Sequence, residues 1–355
     1  MRKRTEMVSQ DALPSRVRQT DVAKLAHVSR ATVSRILNNC TKGFSVKEEV
    51  RARVLDAVNR LGYKPDLAAS ALRRRRPKRF LAWFGWAYPE GFAEQFLQQL
   101  TPAVQDSGFL LTPTYLPPYG SFYNGLPWWR IDAAILTDLQ QGDPLVSSLE
   151  REGIPYVSVN CEGGENGSSI CMDDADGMRQ ICAHLSGLGH RRIAYVERMA
   201  SVMRPHASID IRRRVFREAL LAAGGIPVER PDGTAWCADE GEALIRGAIL
   251  KGGATALVFY SASAALFAYD AILRAGLRVP EDISLVSCHD AYPLSYLGGS
   301  GITAVQMNIG QAVEESLRLL SGAFDKPKTK GESLLLKEYL VIRGSTAAPN
   351  SIQKE

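Results

Sequence analysis

The stretch TDVAKLAHVSRATVSRILN, residues 20–38, decides how the first part of this chain folds. Its apolar residues recur at spacings of three and four, which predicts two short helices that each bury one stripe. This apolar set comprises Val22, Leu25, Ala26, Val28, Val33, Ile36 and Leu37. A break is expected around His27, after which Ser29 can cap the free N–H groups of the second helix. Two short helices about a tight turn form a helix-turn-helix, whose second helix enters the major groove of DNA.

The outward face of the second helix is polar and basic. It carries Ser29, Arg30, Ala31, Thr32, Ser34, Arg35 and Asn38. Hydroxyl and amide groups suit phosphate oxygens, and arginine can read the guanine edge with two hydrogen bonds. We therefore expect Arg30, Ala31 and Arg35 to read bases and the other four residues to hold the DNA backbone. Taken alone, the periodicity fits a pair of amphipathic helices from an ordinary helical domain better than it fits a DNA-binding unit.

The residue types are more specific than their spacing. The run DVAKLAHVSRATVSRILNN, a third helix expected over about Val46–Leu61, and the following GYKPDLAASAL occur in this order. Together they resemble the headpiece of the LacI-type (lactose repressor, GalR) family of bacterial transcription regulators. His27 stands where that family usually has glycine in the turn, at a position where a positive φ is expected.

The charge of the chain is unevenly distributed. Residues 1–79 hold 20 Lys and Arg against 7 Asp and Glu, whereas the remaining residues hold 23 against 31. A basic first quarter ahead of an acidic body indicates a nucleic-acid module joined to a ligand-binding or catalytic body. At 355 residues and 45% hydrophobic composition, the chain can form two or three cores.

Targeting and metal signals are missing from the sequence. It has neither the ~18–20 apolar residues of a membrane span nor the apolar stretch of a secretory signal, so we expect a cytoplasmic protein without a membrane partner. The six cysteines include no CxxC pair, and reduced thiols are therefore expected rather than a zinc or disulfide framework. No cofactor is expected.

Four segments precede or follow the body of the chain. Residues 1–17 read as a disordered basic arm, residues 18–64 as the headpiece, residues 65–79 as a hinge helix with a basic linker, and residues 346–355 as a tail. The resemblance implies that the hinge helix folds when two copies pair over the minor groove, and that Leu72 is driven between base pairs. The alternative is a plain interdomain linker.

Between residues 80 and 345, short β-rich runs alternate with helical ones. This alternation predicts parallel sheets with right-handed crossovers, arranged as two doubly wound subdomains. We expect the second series to begin with the strand Ser169–Met172 and to include a helix over Glu240–Leu250. Ligands in such sheets lie off the carboxyl ends of the strands, which places a ligand in the cleft between the subdomains.

The same region resembles the effector domain of the family, which is similar to periplasmic sugar-binding proteins. The close matches are HLSGLGHRRIAYV (184–196) and AGLRVPEDISLVS (275–287). The resemblance places an effector-holding arginine on Arg212, with Arg213 or Arg214 as alternatives. It also places a ligand contact on Asp173 or Asp174, for which capping of the following helix is an equally good explanation.

Other positions depart from the family. Its Asn-Asp pair is here Ser261-Ala262, and a His289-Asp290 pair puts histidine where a sugar-binding aspartate is common. A lost carboxylate argues against a simple hexose, because an unmatched buried polar group is costly. His289 and Asp290 remain candidate effector contacts, although a lone histidine is as often structural. Trp86 and Tyr88 are candidate lining of the cleft, with core or subunit packing as the alternative.

The resemblance implies a homodimeric repressor that binds a pseudo-palindromic operator in double-stranded DNA, because two-fold protein symmetry requires operator symmetry. A sugar or related polar metabolite in the cleft would control its affinity. The alternative is a regulator that no longer senses sugars and acts constitutively or under another protein. An enzyme is disfavoured, since the sequence has no P-loop, GxSxG or metal-ligand spacing.

Overall fold

A computed structural model describes residues 17, 19–37, 47–61, 63, 79–86, 91–105, 107–116, 130–139, 142–161, 163–197, 206–233, 236–238, 240–290, 294–295, 297, 300–325 and 331–350. They belong to two compact units, Met1–Pro77 and Lys78–Glu355. Several sequence predictions lie outside the described residues. These are the arm up to residue 16, Asn38, the hinge with Leu72, Tyr88, and the tail beyond residue 350.

The first unit contains three described helices, α1 (Gln19–Leu25), α2 (Arg30–Leu37) and α3 (Glu48–Leu61). Val22, Val33 and Val54, one from each helix, are fully buried against one another in its core. Ser29 caps α2 as predicted, because its Oγ accepts the Thr32 N–H at 3.1 Å. The turn residue His27 has a φ of 51°, which confirms the expected left-handed conformation.

The second unit contains thirteen strands among its described residues. In chain order they are β1 (Arg79–Trp86), β2 (Phe109–Leu116), β3 (Ala133–Thr137), β4 (Tyr156–Val159), β5 (Ser168–Met172), β6 (Arg192–Glu197), β7 (Ile226–Pro227), β8 (Trp236–Cys237), β9 (Ala256–Phe259), β10 (Ser284–Ser287), β11 (Thr303–Gln306), β12 (Ser333–Leu336) and β13 (Tyr339–Val341).

Helices cover both sheets of this unit. They are α4 (Phe92–Ala103), α5 (Pro144–Glu152), α6 (Asp174–Gly187), α7 (Ala207–Ala222), α8 (Gly241–Leu244), which continues as a π-helix over Ile245–Lys251, α9 (Ala262–Arg274) and α10 (Ile309–Asp325). Local sequence sets their ends. In α5, for example, Asp143 caps the first turn by accepting the Leu145 N–H, and Gly153 ends the helix with a φ of 66°.

The strands form two sheets. The first has the order β12-β5-β4-β3-β1-β2 with all neighbours parallel, and the second has the order β13-β11-β10-β9-β6-β7, with β8 beside β6. In the second sheet, β13 runs antiparallel to β11. Every residue of β3, β4, β9 and β10 is buried, as expected for parallel strands covered on both faces. The predicted all-α unit followed by two doubly wound subdomains is confirmed.

The chain passes between the two sheets three times. The crossovers run from Met172 to Asp174, from Gln306 to Ile309, and from Leu336 to Tyr339. Because each is short, any movement of one subdomain against the other must bend these three segments.

In this unit one sequence prediction was wrong, and a second was confirmed as a helix but not as a regular α-helix. The strand at Ser169–Met172 was expected to begin the second subdomain, but β5 pairs with β4 and β12 and belongs to the first sheet. Strand order depends on pairing across distant residues, which local alternation does not encode. The helix expected over Glu240–Leu250 is α only through Leu244 and then widens into the π-helix.

The segment after β13 packs against the second sheet rather than leaving it as a tail. Ser345 Oγ donates to Leu285 O at 2.6 Å and accepts the Thr303 N–H at 2.8 Å, so one hydroxyl joins β10 and β11. His190, which is buried, places its Nε2 2.9 Å from Ala347 O. Residues up to Asn350 are therefore part of the domain.

None of the helices within the described ranges combines the length and the apolar character needed to cross a membrane.

Replacing His27 with Val is expected to destabilise the helical unit by about 1–2 kcal/mol, because a left-handed backbone is unfavourable for a β-branched residue. Hydrogen–deuterium exchange of the full chain should show amides of α1 and α2 exchanging about tenfold faster. The His27→Gly variant should exchange no faster than the natural protein. If the amides of α1 and α2 exchanged equally slowly in the Val and Gly variants, the destabilisation could not be attributed to the left-handed backbone at residue 27.

Replacing Ser345 with Ala is expected to destabilise the second unit by about 1–3 kcal/mol, because it leaves two buried backbone groups without a hydrogen-bond partner. The midpoint of thermal unfolding measures this loss. Ser321→Ala is the matched control, since Ser321 is exposed and its hydroxyl donates to Leu317 O within its own helix. Similar midpoints for the two variants would show that the Ser345 bridge contributes nothing to stability.

Candidate functional site

The described part of α2 presents the expected polar face. Val33 and Ile36 are buried in the helical core, while Arg30, Ala31 and Arg35 are exposed. A helix fixed on one side by packing and exposed on the other is the geometry that major-groove recognition requires.

The hydroxyls at the start of α2 are already organised. Ser29 Oγ lies 2.9 Å from Thr32 Oγ1 while it also caps the helix, and Thr32 and Ser34 are half-buried beside the core. Free N–H groups at a helix start attract phosphate oxygens. The base-reading and backbone roles of these residues remain predictions, as do those of Asn38 and Leu72, which lie outside the described residues.

At the carboxyl ends of the first sheet, two polar residues meet. Asp138 follows β3 and Asn160 follows β4, both have left-handed backbones with φ of 54° and 55°, and Asn160 Nδ2 donates to Asp138 Oδ1 at 2.7 Å. Sequence reasoning missed this pair. The signal was present, because each residue directly follows a buried strand whose carboxyl end faces the cleft.

Arg212 is the centre of a buried ionic cluster in the second subdomain. Its Nε and one NH2 group donate to Asp174 Oδ1 at 2.7 and 2.6 Å, and its other terminal nitrogen donates to Tyr260 O at 2.9 Å. Glu338 Oε1 lies 4.0 Å from the same guanidinium. With only 4% of its surface exposed, Arg212 is held by protein groups on several sides. The alternatives Arg213 and Arg214 pair instead with Glu197 and Glu218 nearer the surface.

His289 connects the two subdomains. Its Nε2 lies 3.1 Å from Nε2 of Gln95 on α4, which belongs to the first subdomain. Burial lowers the pKa of His289 to about 4, helped by the nearby Arg212 charge and opposed by Asp290. The ring is therefore neutral near pH 7, and its Nε2 can accept the amide N–H.

A second histidine also crosses the cleft. His206 begins α7, where its Nδ1 accepts the Ser208 N–H, and its Nε2 donates to the carbonyl oxygen of Asn160 at 2.6 Å. Ser208 Oγ in turn lies 2.7 Å from the hydroxyl of Tyr260. Neither His206 nor Gln95 was among the predicted site residues, because their partners are distant in sequence.

The remaining predicted effector residues have defined partners or positions. Asp290 forms a two-pronged ion pair with Arg343, at 3.0 and 2.6 Å. Asp173 caps α6 by accepting the Asp176 N–H, and Ser261 caps α9 by accepting the Ala264 N–H. Trp86 is the last residue of β1, and its side chain lies outside the described set, as does Tyr88. The structure thus brings Arg212, Asp174 and His289 into one region, with Asp290 directed to Arg343.

Comparisons with known proteins cover both units. The model for bacterial regulatory proteins of the lacI family matches residues 20–66, and the model for the periplasmic binding protein-like domain matches residues 182–346. The HTH-type transcriptional regulator CelR of Thermobifida fusca is 30% identical over 339 residues, covering 91% of this chain and 96% of that protein. DegA of Bacillus subtilis, also an HTH-type transcriptional regulator, is 25% identical over 93% of this chain and 98% of that protein.

Solved structures agree with these matches. A complex of transcriptional regulator CelR with cellobiose has a TM-score of 0.63 at 26% identity and covers 93% of this chain and 100% of that one. The lac repressor dimer bound to operator and the anti-inducer ONPF shares the fold, with a TM-score of 0.68 at 22% identity over 94% of this chain and 99% of that one. These relatives are regulators and not enzymes, as predicted. The chain belongs to the LacI family of DNA-binding transcription regulators, with a helix-turn-helix unit followed by a periplasmic-binding-protein-like effector domain.

Proposed function

We propose that this protein is a cytoplasmic repressor that binds a pseudo-palindromic operator as a homodimer and answers to a sugar-like molecule in the cleft between its two subdomains. The observation that carries the DNA-binding part is the fixed α2 helix, which has a buried Val33–Ile36 side and an exposed face with Arg30 and Arg35. Two such helices related by a two-fold axis read two half-sites about one helical turn apart.

The proposed division of labour on DNA follows the chemistry of each side chain. Arg30, Ala31 and Arg35 read base edges, and Ser29, Thr32, Ser34 and Asn38 hold phosphates. Leu72 opens a central base step from the minor groove. Closure of the cleft by an effector changes the spacing of the paired hinges and thereby the affinity for the operator.

The effector is proposed to be a sugar because the structure of one relative, CelR, was solved as a complex with cellobiose. Arg212, His289, Asp173, Asp290, Trp86 and Tyr88 are the proposed contacts. For Arg212 and Asp290 this requires an exchange of partners, since both are now bonded to other side chains.

A second function is favoured by one specific observation. Several polar groups at the predicted effector positions bond to the protein itself, and the His289–Gln95 and His206–Asn160 contacts join the two subdomains. A cleft held by its own side chains suits a regulator that binds DNA constitutively or under the control of another protein.

Replacing Arg30 with Ala is expected to weaken binding to the natural operator by about 1–3 kcal/mol and to relax specificity at one base pair, because a two-pronged base contact is lost. Competition binding at fixed salt measures both changes. Arg60→Ala is the matched control, since Arg60 is exposed on α3 and forms only a long ion pair, at 3.7 Å, with the exposed Asp56. Equal losses on operator and unrelated DNA would show that Arg30 holds the backbone instead.

The effector is tested by titrating operator-bound protein, on DNA from upstream of its own gene, with cellobiose, other di- and monosaccharides, nucleosides and organic acids. A sugar effector should change operator affinity by about 5–150-fold, the usual size of an allosteric coupling. Tight, specific binding that no compound changes would favour constitutive or protein-controlled regulation. Absence of specific binding would overturn the DNA-binding proposal itself.

A further inference from the structure

Glu338 lies in the third crossover between the subdomains, and it is almost completely buried, with 2% of its surface exposed. Its carbonyl oxygen accepts an N–H from Gln180 Nε2 at 2.9 Å, and Gln180 Oε1 accepts the Leu340 N–H at 3.0 Å. The first crossover lies alongside, because the Asp173 N–H donates to Leu336 O at 2.8 Å. Glu338 therefore lies where two of the three crossovers meet.

The carboxyl group of Glu338 is poorly compensated. Its Oε1 is buried and has no hydrogen-bond partner among the described residues, and Arg212, 4.0 Å away, is engaged by Asp174 at 2.6 Å. Its Oε2 lies so close to Gly177 that a Cβ there would stand 2.1 Å from it. Position 177 must therefore be a glycine for the carboxyl group to lie where it does.

The charges around Glu338 are mostly negative. The groups that face it are Arg212 from α7, Asp173, Asp174 and Asp176 at the start of α6, and the Cys288 thiol after β10. A single guanidinium thus has to compensate two buried carboxyl groups, those of Asp174 and Glu338, and two further aspartates lie nearby. Burial is the main cause that raises the pKa of Glu338 to about 8, and the aspartates add to it against the opposing effect of Arg212.

We infer that Glu338 makes the junction between the subdomains a proton-linked hinge, in which the carboxyl group holds a proton while the crossovers pack as they do here and releases it to water when they separate. The inference concerns the effector domain alone and does not depend on which ligand the cleft takes. The geometry behind it is the shared burial of Glu338 by two crossovers that any subdomain movement must bend.

The direction of the pH effect follows from linkage. The pKa of Glu338 in the packed junction lies above the ordinary glutamate value of 4.5, so the packed junction binds a proton that the separated one lacks. Its stability is greatest below that ordinary value and falls as the pH rises towards about 8. Between these limits, one released proton changes the ratio of packed to separated junctions by up to about tenfold per pH unit.

The first test uses the unmodified full-length protein. Infrared spectra should contain the C=O band of a protonated carboxylic acid at pH 6, well above the ordinary pKa of about 4 of a carboxyl group, and this band should be lost by pH 9. The band should be missing at pH 6 in Glu338→Gln. A natural protein without this band at pH 6 would overturn the inference, whether or not the variant folds.

The second test addresses the hinge. At pH 9, hydrogen–deuterium exchange in the segments around residues 172–177 and 336–340 should be slower in Glu338→Gln than in the natural protein, because an amide cannot ionise. Below the ordinary glutamate value of 4.5, where the carboxyl group is protonated in both arrangements, the two proteins should exchange at similar rates. Glu332→Gln is the control and should match the natural protein at both pH values, since its side chain is 59% exposed and pairs with Arg318 at the surface. Identical exchange of natural protein and Glu338→Gln at pH 9 would refute the hinge role.

Discussion

One buried guanidinium organises the junction of the effector domain. Arg212 joins Asp174, directly after the first crossover, to the end of β9 through Tyr260 O, and it lies within 4.0 Å of Glu338 in the third crossover. Removing charges from water is unfavourable, and such an ion pair adds little net stability compared with apolar packing. The main effect of this ion pair is instead to fix positions. Backbone segments that must bend together surround one cation, which holds them in a single relative arrangement.

The same constraint explains why Arg212 differs from the surface arginines beside it. Arg213 and Arg214 each pair with one glutamate and keep about half or more of their side chains exposed, at 47% and 62%. Arg212 has 5% of its side chain exposed. A ligand that uses this guanidinium must offer hydrogen bonds at least as good as those of a carboxylate, because an uncompensated buried Asp174 would be costly.

The described helices of the first unit could be predicted from the sequence, whereas the site in the second unit could not. The positions of α1 and α2, the Ser29 cap and the left-handed His27 depend on neighbours within four residues, and local sequence contains that information. The alternation of strands and helices also gave the correct class of fold. The placement of β5 failed because its partners β4 and β12 are chosen across the whole domain. The contacts of His289 with Gln95 and of His206 with Asn160 join residues 194 and 46 positions apart, which no local pattern reveals.

These long-range contacts bear on how an effector could act. A ligand shifts an equilibrium between conformations only by the difference in its affinity for them. In this domain the groups on the two sides of the cleft are already bonded to each other, with the neutral ring of His289 against Gln95 and His206 against the backbone of Asn160. A small molecule that entered between them would replace bonds within the protein by bonds to itself. The net binding free energy would then depend on whether the new hydrogen bonds are as good as the ones they replace. A ligand whose hydroxyl groups replace each lost hydrogen bond would therefore bind more tightly than one that only has a matching shape.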